Sequence, residues 1–533
     1  MGRTMWWKQA VFYEVYVRSF SDSDGDGVGD LRGVVDRLDY LADTLGVDAL
    51  WLSPFYPSPQ KDYSYDVADH MGVDPLFGDL ETFDELLRGA QGRGLKLLVD
   101  YVPNHTSDRH AWFVESRSSR DSDRRDWYMW ADPSPDGSPP NNWLSVFGGP
   151  AWTFDDATGQ YYMHSFLAEM PELNWRNPSV EQAMFDVVRF WMERGVDGIR
   201  IDCAHYLMKD PQMRDNPLNP EMKRLAHRPL GQYDSQIHLY DKGHEDNHPV
   251  YRRLRKLLDT YHPPRTAIGE IHIYDWSEWA RYFGHGDDEL NMNFNFGLLG
   301  VEWDAAAVRG LVEEVYSVIP EGAWPNWAIG NHDEPRVASR LGADRARQAL
   351  MLMLTLRGSP TLYYGDELGM PNAPLSPAGT MDPWGLQDPT LSRDPQRAPM
   401  PWSREPNAGF CPAEARPWAP LAAAAKDLSV AAQLEDPGSF LCLTRRLLAV
   451  RKLSLPLRTG TYQTIEAPEG CYAFAREAGG KRCLVVLNFS AQQCRFPLPD
   501  DARRLMASTK GNRCDPEPGA ITLAALEGCI FGP

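Results

Sequence analysis

Carboxylates, histidines and an arginine gather at four places in this 533-residue chain: Asp100-Tyr101-Val102-Pro103-Asn104-His105, Gly198-Ile199-Arg200-Ile201-Asp202, Ile268-Gly269-Glu270 and Asn331-His332-Asp333. Each closes a short β-like run. A lone carboxylate at such a place commonly caps the next helix, but four in register at one mouth need another explanation. Two carboxylates facing each other across a pocket are what glycosidic cleavage requires. One attacks the anomeric carbon, the other protonates the leaving oxygen, and a separation of about 5 to 5.5 Å implies retention of configuration. Asp202 and Glu270 suit these roles. Arg200 precedes Asp202 by two residues, so on a strand it shares its face and can hold the carboxylate ionised. Glu270 needs a raised pKa to act as an acid. Asp333 is a third carboxylate for sugar hydroxyls and a cationic transition state, and His105 and His332 are candidate hydroxyl donors.

Eight strand-like runs place these groups: Val11–Val17, Ala49–Ser53, Leu95–Val102, Gly198–Asp202, Thr266–Ile271, Asn291–Phe296, Trp327–Gly330 and Thr361–Tyr364. Helical patterns lie between them, as in Leu31–Leu45, Phe83–Arg93, Val180–Arg194, Tyr251–Tyr261 and Ala343–Thr355. Parallel strands need crossovers, so the alternation predicts an α/β (β/α)8 TIM barrel with its active site at the strands' C-terminal ends. Two stretches are too long for βα loops. Residues 104–171 read as an inserted subdomain after the third strand, between barrel parts 1–103 and 172–455; residues 366–425 form a Pro/Gly-rich excursion after the eighth. From 456 to 533 short alternating strands predict a C-terminal antiparallel β-sandwich domain.

Composition narrows the partners. A net charge of −20 opposes phosphate backbones and anionic membrane surfaces, so neither nucleic acid nor membrane is expected. Neutral ligands are unaffected, and the 18 Trp, 22 Tyr and 20 Phe suit both a large core and surfaces that recognise small polar ligands. Met1–Lys8 has no apolar signal core, no apolar run approaches a membrane span, and none of the eight cysteines forms a CxxC pair. The expectation is a cytoplasmic protein with reduced thiols.

DYVPNH (100–105), GIRID (198–202), GE (269–270) and NHDEPR (331–336) resemble the four main motifs of the α-amylase-type glycoside hydrolases, and MPELNW (170–175) resembles their fifth. The resemblance covers nearly the whole chain in order and spacing. It implies Asp202 as nucleophile, Glu270 as acid/base and Asp333 as transition-state stabiliser. It also implies Tyr65, Asp66, His105, Phe166, Arg200, His332 and Arg397 around the non-reducing glucose. VFYEVYVRSFSDSDGDGVGDLRG (11–33), KDYSYDVADH (61–70) and SRDPQRAPMPW (392–402) look like the α-glucosidase and oligo-1,6-glucosidase branch. Ser64 and His70 replace the glycine and tyrosine more usual there, and Glu172 replaces an aspartate. The residue after the nucleophile, Cys203, is nearer in bulk to the Ala or Thr that accompany α-1,4 preference than to the Val of α-1,6 enzymes; His205 is also unusual. The implied activity is a retaining, exo-acting α-glucosidase on maltose and maltooligosaccharides, with transglucosylation open. Oligo-1,6-glucosidase and sucrose- or trehalose-active enzymes are the alternatives.

Asp22, Asp24, Asp26, Gly27 and Asp30 form DxDxDGxxD, whose alternate carboxylates suit a hard cation. Gly33 stands where an EF-hand places its bidentate Glu, which excludes a full EF-hand. The family resemblance implies a structural Ca²⁺ held by Asp22, Asp24, Asp26, Asp30 and the Val28 carbonyl, with Mg²⁺ as competitor and no organic cofactor. His244-Glu245-Asp246-Asn247-His248 matches the zinc-protease HExxH pattern, but Gly243 and Pro249 make it a poor helix and a chance match. A non-catalytic barrel relative would lack a carboxylate that this chain retains.

Overall fold

The computed structural model describes residues 5–222, 228–375, 379–499, 502, 504–511 and 519–532. Its barrel strands are β1 (Phe12–Val15), β2 (Ala49–Leu52), β3 (Lys96–Tyr101), β4 (Gly198–Ile201), β5 (Thr266–Gly269), β6 (Met292–Asn295), β7 (Asn326–Ala328) and β8 (Ser359–Tyr363). Each pairs in parallel with the next, and β8 returns to β1 to close the barrel. All eight expected strands are present; six lie within their expected bounds, whereas β7 and β8 begin one and two residues earlier than expected. Asp202 and Glu270, counted with the strands from sequence, fall just beyond them and turn into the mouth.

The two-residue period of a strand decides what each side chain meets. Tyr13, Val15, Leu50, Leu52, Leu97, Val99, Ile199 and Ile201 join the layer between strands and helices. Phe12, Ala49, Trp51, Leu98 and Ile268 fill the barrel's interior. Two residues further along the inward face the apolar plug gives way to charge: Phe12 is followed by Glu14, Leu98 by Asp100, Ile268 by Glu270. On β4 the inward positions are Gly198 and Arg200. Gly198 is required, since a Cβ there would lie 2.5 Å from the Thr266 carbonyl oxygen on β5.

The helix Pro178–Arg194 shows how the outer layer forms. Asn177 caps it by accepting from the Ser179 N–H, proline sits in its first turn, and Gly195 at φ 110° ends it. Val180, Met184, Val187, Val188 and Trp191 form its buried face. The expected helix Leu31–Leu45 is broken instead. An α-helix capped by Asp30 runs over Leu31–Asp36, and a wider π-helical turn, Tyr40–Leu45, ends at Gly46 with φ 88°.

Between β3 and β4 the chain builds the helix Ala111–Ser118 and a three-stranded antiparallel sheet with Gln160–Met163 between Trp130–Ala131 and Trp152–Asp155. Beyond the barrel, Thr461–Ile465, Cys471–Ala478, Lys481–Asn488, Gly528–Gly532 and Arg504–Ser508 pair in that order into an antiparallel sheet. Cys494–Pro497 and Ala520–Leu523 form a second. Alternation again divides the faces. Ala473, Leu484, Val486, Cys529 and Phe531 pack against Phe496, Ile521 and Leu523 of the small sheet. Tyr472, Phe474, Val485, Leu487 and Ile530 join the barrel's own core. Among the described residues no helix is long and apolar enough to cross a membrane.

Leu487 is fully buried on the barrel-facing side. Leu487→Ala is expected to cost about 2 to 5 kcal/mol, read as a lower urea midpoint; a midpoint equal to the parent's would show that this face is not a packed junction.

Candidate active site

A cavity of about 480 Å³ opens at the mouth of the barrel, with Asp202, Cys203, Glu270, Asp333, Asp62, Tyr65, His105 and Phe166 in its wall. Arg200, only 1% exposed, lies beneath it. Its Nη1 donates to Asp202 Oδ1 at 2.8 Å and to Asp100 Oδ1 at 2.9 Å. Its Nη2 lies 2.5 Å from Glu270 Oε1, an ion pair without the alignment of a hydrogen bond. Carboxylate oxygens of Asp202 and Glu270 lie within 4.8 Å of each other, with the Cys203 sulfur equally close. Cys203 takes φ 44°, a left-handed turn rare for its type, and its N–H donates to Glu270 Oε2 at 3.1 Å.

These surroundings separate the carboxyl groups. Burial drives Asp202 well above the usual carboxylate range, opposed by Arg200 and reinforced by Glu270 and Asp100. Burial also opposes ionisation of Glu270, but Arg200 and His272 outweigh it and hold Glu270 low. The two carboxyl groups share one proton-binding equilibrium around Arg200 and titrate as a pair. Asp100, buried but facing Arg200, is raised to about 6.

Asp333 stands among cations. Its Oδ1 accepts from Arg397 Nη2 at 2.7 Å and Arg393 Nη1 at 3.2 Å, and lies 3.5 Å from His332 Nε2. Against the cost of burial, His332, Arg393 and Arg397 hold it well below the ordinary range. Burial works against a charged His332 too, but Asp333 and Glu14 raise its pKa. Its Nδ1 lies 2.6 Å from Glu14 Oε1 and its Nε2 2.8 Å from the Tyr65 hydroxyl, which donates to Asp100 Oδ2 at 3.2 Å. A charge-assisted chain thus runs from Glu14 on β1 through His332, Tyr65 and Asp100 to Arg200.

The sequence-derived residues divide into wall and support. Tyr65, His105, Phe166 and Cys203 line the cavity; Arg200, His332, Arg397 and Asp66 stand behind its wall. Asp66 accepts from Ser58 Oγ and from the N–H groups of Lys61 and Asp62. It braces the turn that presents Asp62 and Tyr65. The ring nitrogens of His105 and His332, candidate hydroxyl donors from sequence, face protein groups here. Burial lowers His105 to about 3, and its nitrogens already face the Tyr65 carbonyl and the Asn104 amide, so it offers the cavity ring surface. His332 spends both nitrogens on Glu14 and Tyr65. His205 is fully buried, outside the wall. Ser64 takes φ 79° where the resemblance leads one to expect glycine, and its hydroxyl bonds Gln60. Glu172 pairs with the buried Lys209.

Glu14, Asp62, Asp100 and Arg393 were not assigned roles from sequence. Glu14 and Asp100 had a signal, a single acid inside an apolar strand. Asp62 and Arg393, which form an ion pair at 2.5 Å, are 331 residues apart and had none.

Residues 14–460 match the α-amylase catalytic-domain family. A probable α-glucosidase from Rhizobium meliloti is 40% identical over 506 residues, spanning 93% of this chain and 91% of that protein. An oligo-1,6-glucosidase from Heyndrickxia coagulans is 35% identical over 94% of this chain and 95% of its own. The chain belongs to the α-amylase family. It is therefore an enzyme that hydrolyses glycosides. Among solved structures, that of the α-glucosyl transfer enzyme XgtA superposes with a TM-score of 0.94 at 42% identity, covering 99% of this chain and all of that one.

In this α-amylase-family chain the acidic loop folds on itself. Asp22 accepts from Asp24 N, Gly25 N and Gly27 N, and Asp30 from Ser23 N and Gly33 N. Gly27, at φ 93°, is pressed so close to Arg416 that a Cβ would lie 2.0 Å from its carbonyl oxygen. Oxygens of Asp22, Asp24 and Asp30 lie within 4.8 Å of one another; Asp26 stands apart, accepting from Val28 N. Burial raises Asp22, reinforced by the charges of Asp26 and Asp24, which is the donor set a hard cation relieves. The HExxH histidines go separate ways: His248, inside the helix Asn247–Asp259, meets Glu289 at 2.8 Å, whereas His244 precedes that helix and faces Asp246.

The raised pKa of His332 fixes a sign. A raised folded pKa stabilises fully below the unfolded value of about 6.5, and that stability is lost as pH rises through the folded value. Glu14→Gln removes one of the two anions holding His332 protonated, so the alkaline loss of thermal stability is expected to begin at lower pH. Calorimetry between about pH 6 and pH 9 tests this, and superimposable profiles for parent and variant would refute it.

Proposed function

We propose that the protein is a retaining α-glucosidase that releases glucose from the non-reducing end of short α-glucosides, with α-1,4 links preferred. The observation that carries this reading is the pair of buried carboxylates, Asp202 and Glu270, with oxygens within 4.8 Å across one cavity. That spacing leaves no room for the intervening water of an inverting enzyme.

In this reading Asp202 attacks the anomeric carbon and Glu270 protonates the departing oxygen. Glu270 then takes a proton from the water that hydrolyses the glucosyl ester. The attack needs the shared proton on Glu270 instead of Asp202. A sugar seated between the two excludes water from Glu270 and favours its neutral form, while Nη1 of Arg200 stays on Asp202. Asp333, kept ionised by three cations, faces the positive charge that develops on the ring. Phe166 and Tyr65 offer ring faces to the sugar. The segments after β3 and β8 supply Phe166, Asp62's partner Arg393, and Arg397, and close the cavity into a pocket for one terminal glucose.

We assign the loop 22–30 a structural Ca²⁺, with Mg²⁺ the competitor. Asp22, Asp24 and Asp30 would hold it, and it would neutralise their repulsion without entering the chemistry. The reaction is expected to take place in the cytoplasm, where unpaired thiols persist.

Asp202→Asn is expected to lower kcat by about ten-thousand-fold or more with the fold retained; residual rates near the parent's would exclude Asp202 as nucleophile. On maltoheptaose, glucose should appear first, and early mid-sized oligosaccharides would refute the exo reading. Initial rates on maltose, isomaltose, sucrose and trehalose decide the linkage, with maltose expected fastest. Adding Ca²⁺ at about 100 times its Kd to chelator-dialysed protein should stabilise it by about 2.7 kcal/mol. An unmoved thermal midpoint would remove the ion from the proposal.

A further inference from the structure

Seven cysteines lie among the described residues, and their sulfurs have unlike neighbours. Cys203 faces Glu270, Cys442 the Gln433 carbonyl and Cys483 the Ser454 hydroxyl. Cys471 and Cys494 instead meet each other, sulfur to sulfur at 2.9 Å. They belong to different sheets of the C-terminal domain. Cys471 opens the strand Cys471–Ala478 of the large sheet, and Cys494 opens Cys494–Pro497 of the small one. The two sulfurs therefore touch across the gap between the sheets.

The turn that brings them together is held by one buried amide. Asn488 lies opposite Cys471 in the ladder and is fully buried. Its Nδ2 donates to the carbonyls of Gln492 and Ala524 at 2.7 and 2.8 Å, and its Oδ1 accepts from Ser490 N at 3.0 Å. Phe489 N donates to the carbonyl of Gly470, just before Cys471. The Asn488 carbonyl accepts from Gln348 Nε2 at 2.7 Å, which ties the turn to the helix Ala343–Thr355 of the barrel. Residues 489–493 are thus folded back over Cys471 by bonds that do not involve sulfur. A disulfide holds its sulfurs about 2.05 Å apart, so the two thiols need little movement to join. Burial pushes the Cys471 thiol up, and the neighbouring Cys494 reinforces the shift, so a lone thiolate is disfavoured there. Cys494 is partly exposed whereas Cys471 is buried, which makes Cys494 the sulfur that an outside reagent meets first.

We propose that Cys471 and Cys494 form a thiol–disulfide exchange site for small-molecule disulfides such as oxidised glutathione, and that the bond they close clamps the two sheets of the C-terminal domain. The site lies outside the wall of the barrel-mouth cavity, and the proposal is independent of the glucosidase reading. Cys494 attacks one sulfur of glutathione disulfide and forms a mixed disulfide; the glutathione S–S bond breaks, and the leaving glutathione thiolate takes the Cys494 proton. Cys471 then attacks the Cys494 sulfur. The bond from Cys494 to glutathione breaks, and the second glutathione leaves with the Cys471 proton. Two protein thiols are oxidised and one glutathione disulfide is reduced to two thiols.

The test incubates the fully reduced protein with oxidised glutathione and maps its peptides without reductant. Cys471 should be found joined to Cys494, the thermal midpoint should rise by about 3 °C, and dithiothreitol should reverse both. Cys471→Ser should stop at the mixed disulfide, with Cys494 carrying one glutathione of about 305 Da, whereas Cys494→Ser should leave Cys471 unmodified. Cys442→Ser, on the helix Phe440–Leu453, should keep the bond and the shift, with midpoints of the reduced proteins checking each fold. Absence of the Cys471–Cys494 bond in the parent, glutathione retained on Cys494 in its place, or a bond that leaves the midpoint unmoved overturns the proposal.

Discussion

Arg200 is buried beneath the cavity and faces three carboxylates, Asp100, Asp202 and Glu270, at 2.5 to 2.9 Å. Taking one partner from a buried ion cluster costs about 3 to 5 kcal/mol, and here a single cation serves three anions on three strands. Its position follows from the barrel's register, which sets Arg200 on β4 beside Asp100 on β3 and Ile268 on β5. One guanidinium is too little charge for three buried carboxylates. The shortage raises the pKa of two of them: Asp100 goes to about 6, and Asp202 well above the usual carboxylate range.

Asp333 lives under the opposite condition. Arg393, Arg397 and His332 converge on it, and two of these come from the long excursion after β8. That segment adds counter-charge to what Arg200 on β4 supplies. Three carboxylates in one cavity thus meet different surroundings: Asp202 faces Arg200, Glu270 faces Arg200 and His272, and Asp333 faces His332, Arg393 and Arg397.

What the sequence made legible follows the same physics. The barrel strands and their charged ends could be read because alternation and burial leave a two-residue signature, and Arg200 and Asp202 share a face on that period alone. The helix expected over Leu31–Leu45 keeps its apolar spacing, so nothing in that spacing marks the change to a wider turn at Tyr40. The supporting roles of His332, His105 and Asp66 were hidden for another reason. Each depends on which partner its polar atoms reach, and Glu14 lies 318 residues before His332.

The surplus of negative charge also bears on rate. In the proposed reaction, a neutral glucoside entering the cavity gains little from Asp333 or from an ionised Asp202, because it carries no charge to meet them. When the glycosidic bond lengthens and the ring becomes cationic, both anions act at short range in a site shielded from water. The stabilisation thus appears chiefly in the transition state, the condition under which binding energy raises kcat instead of merely lowering KM.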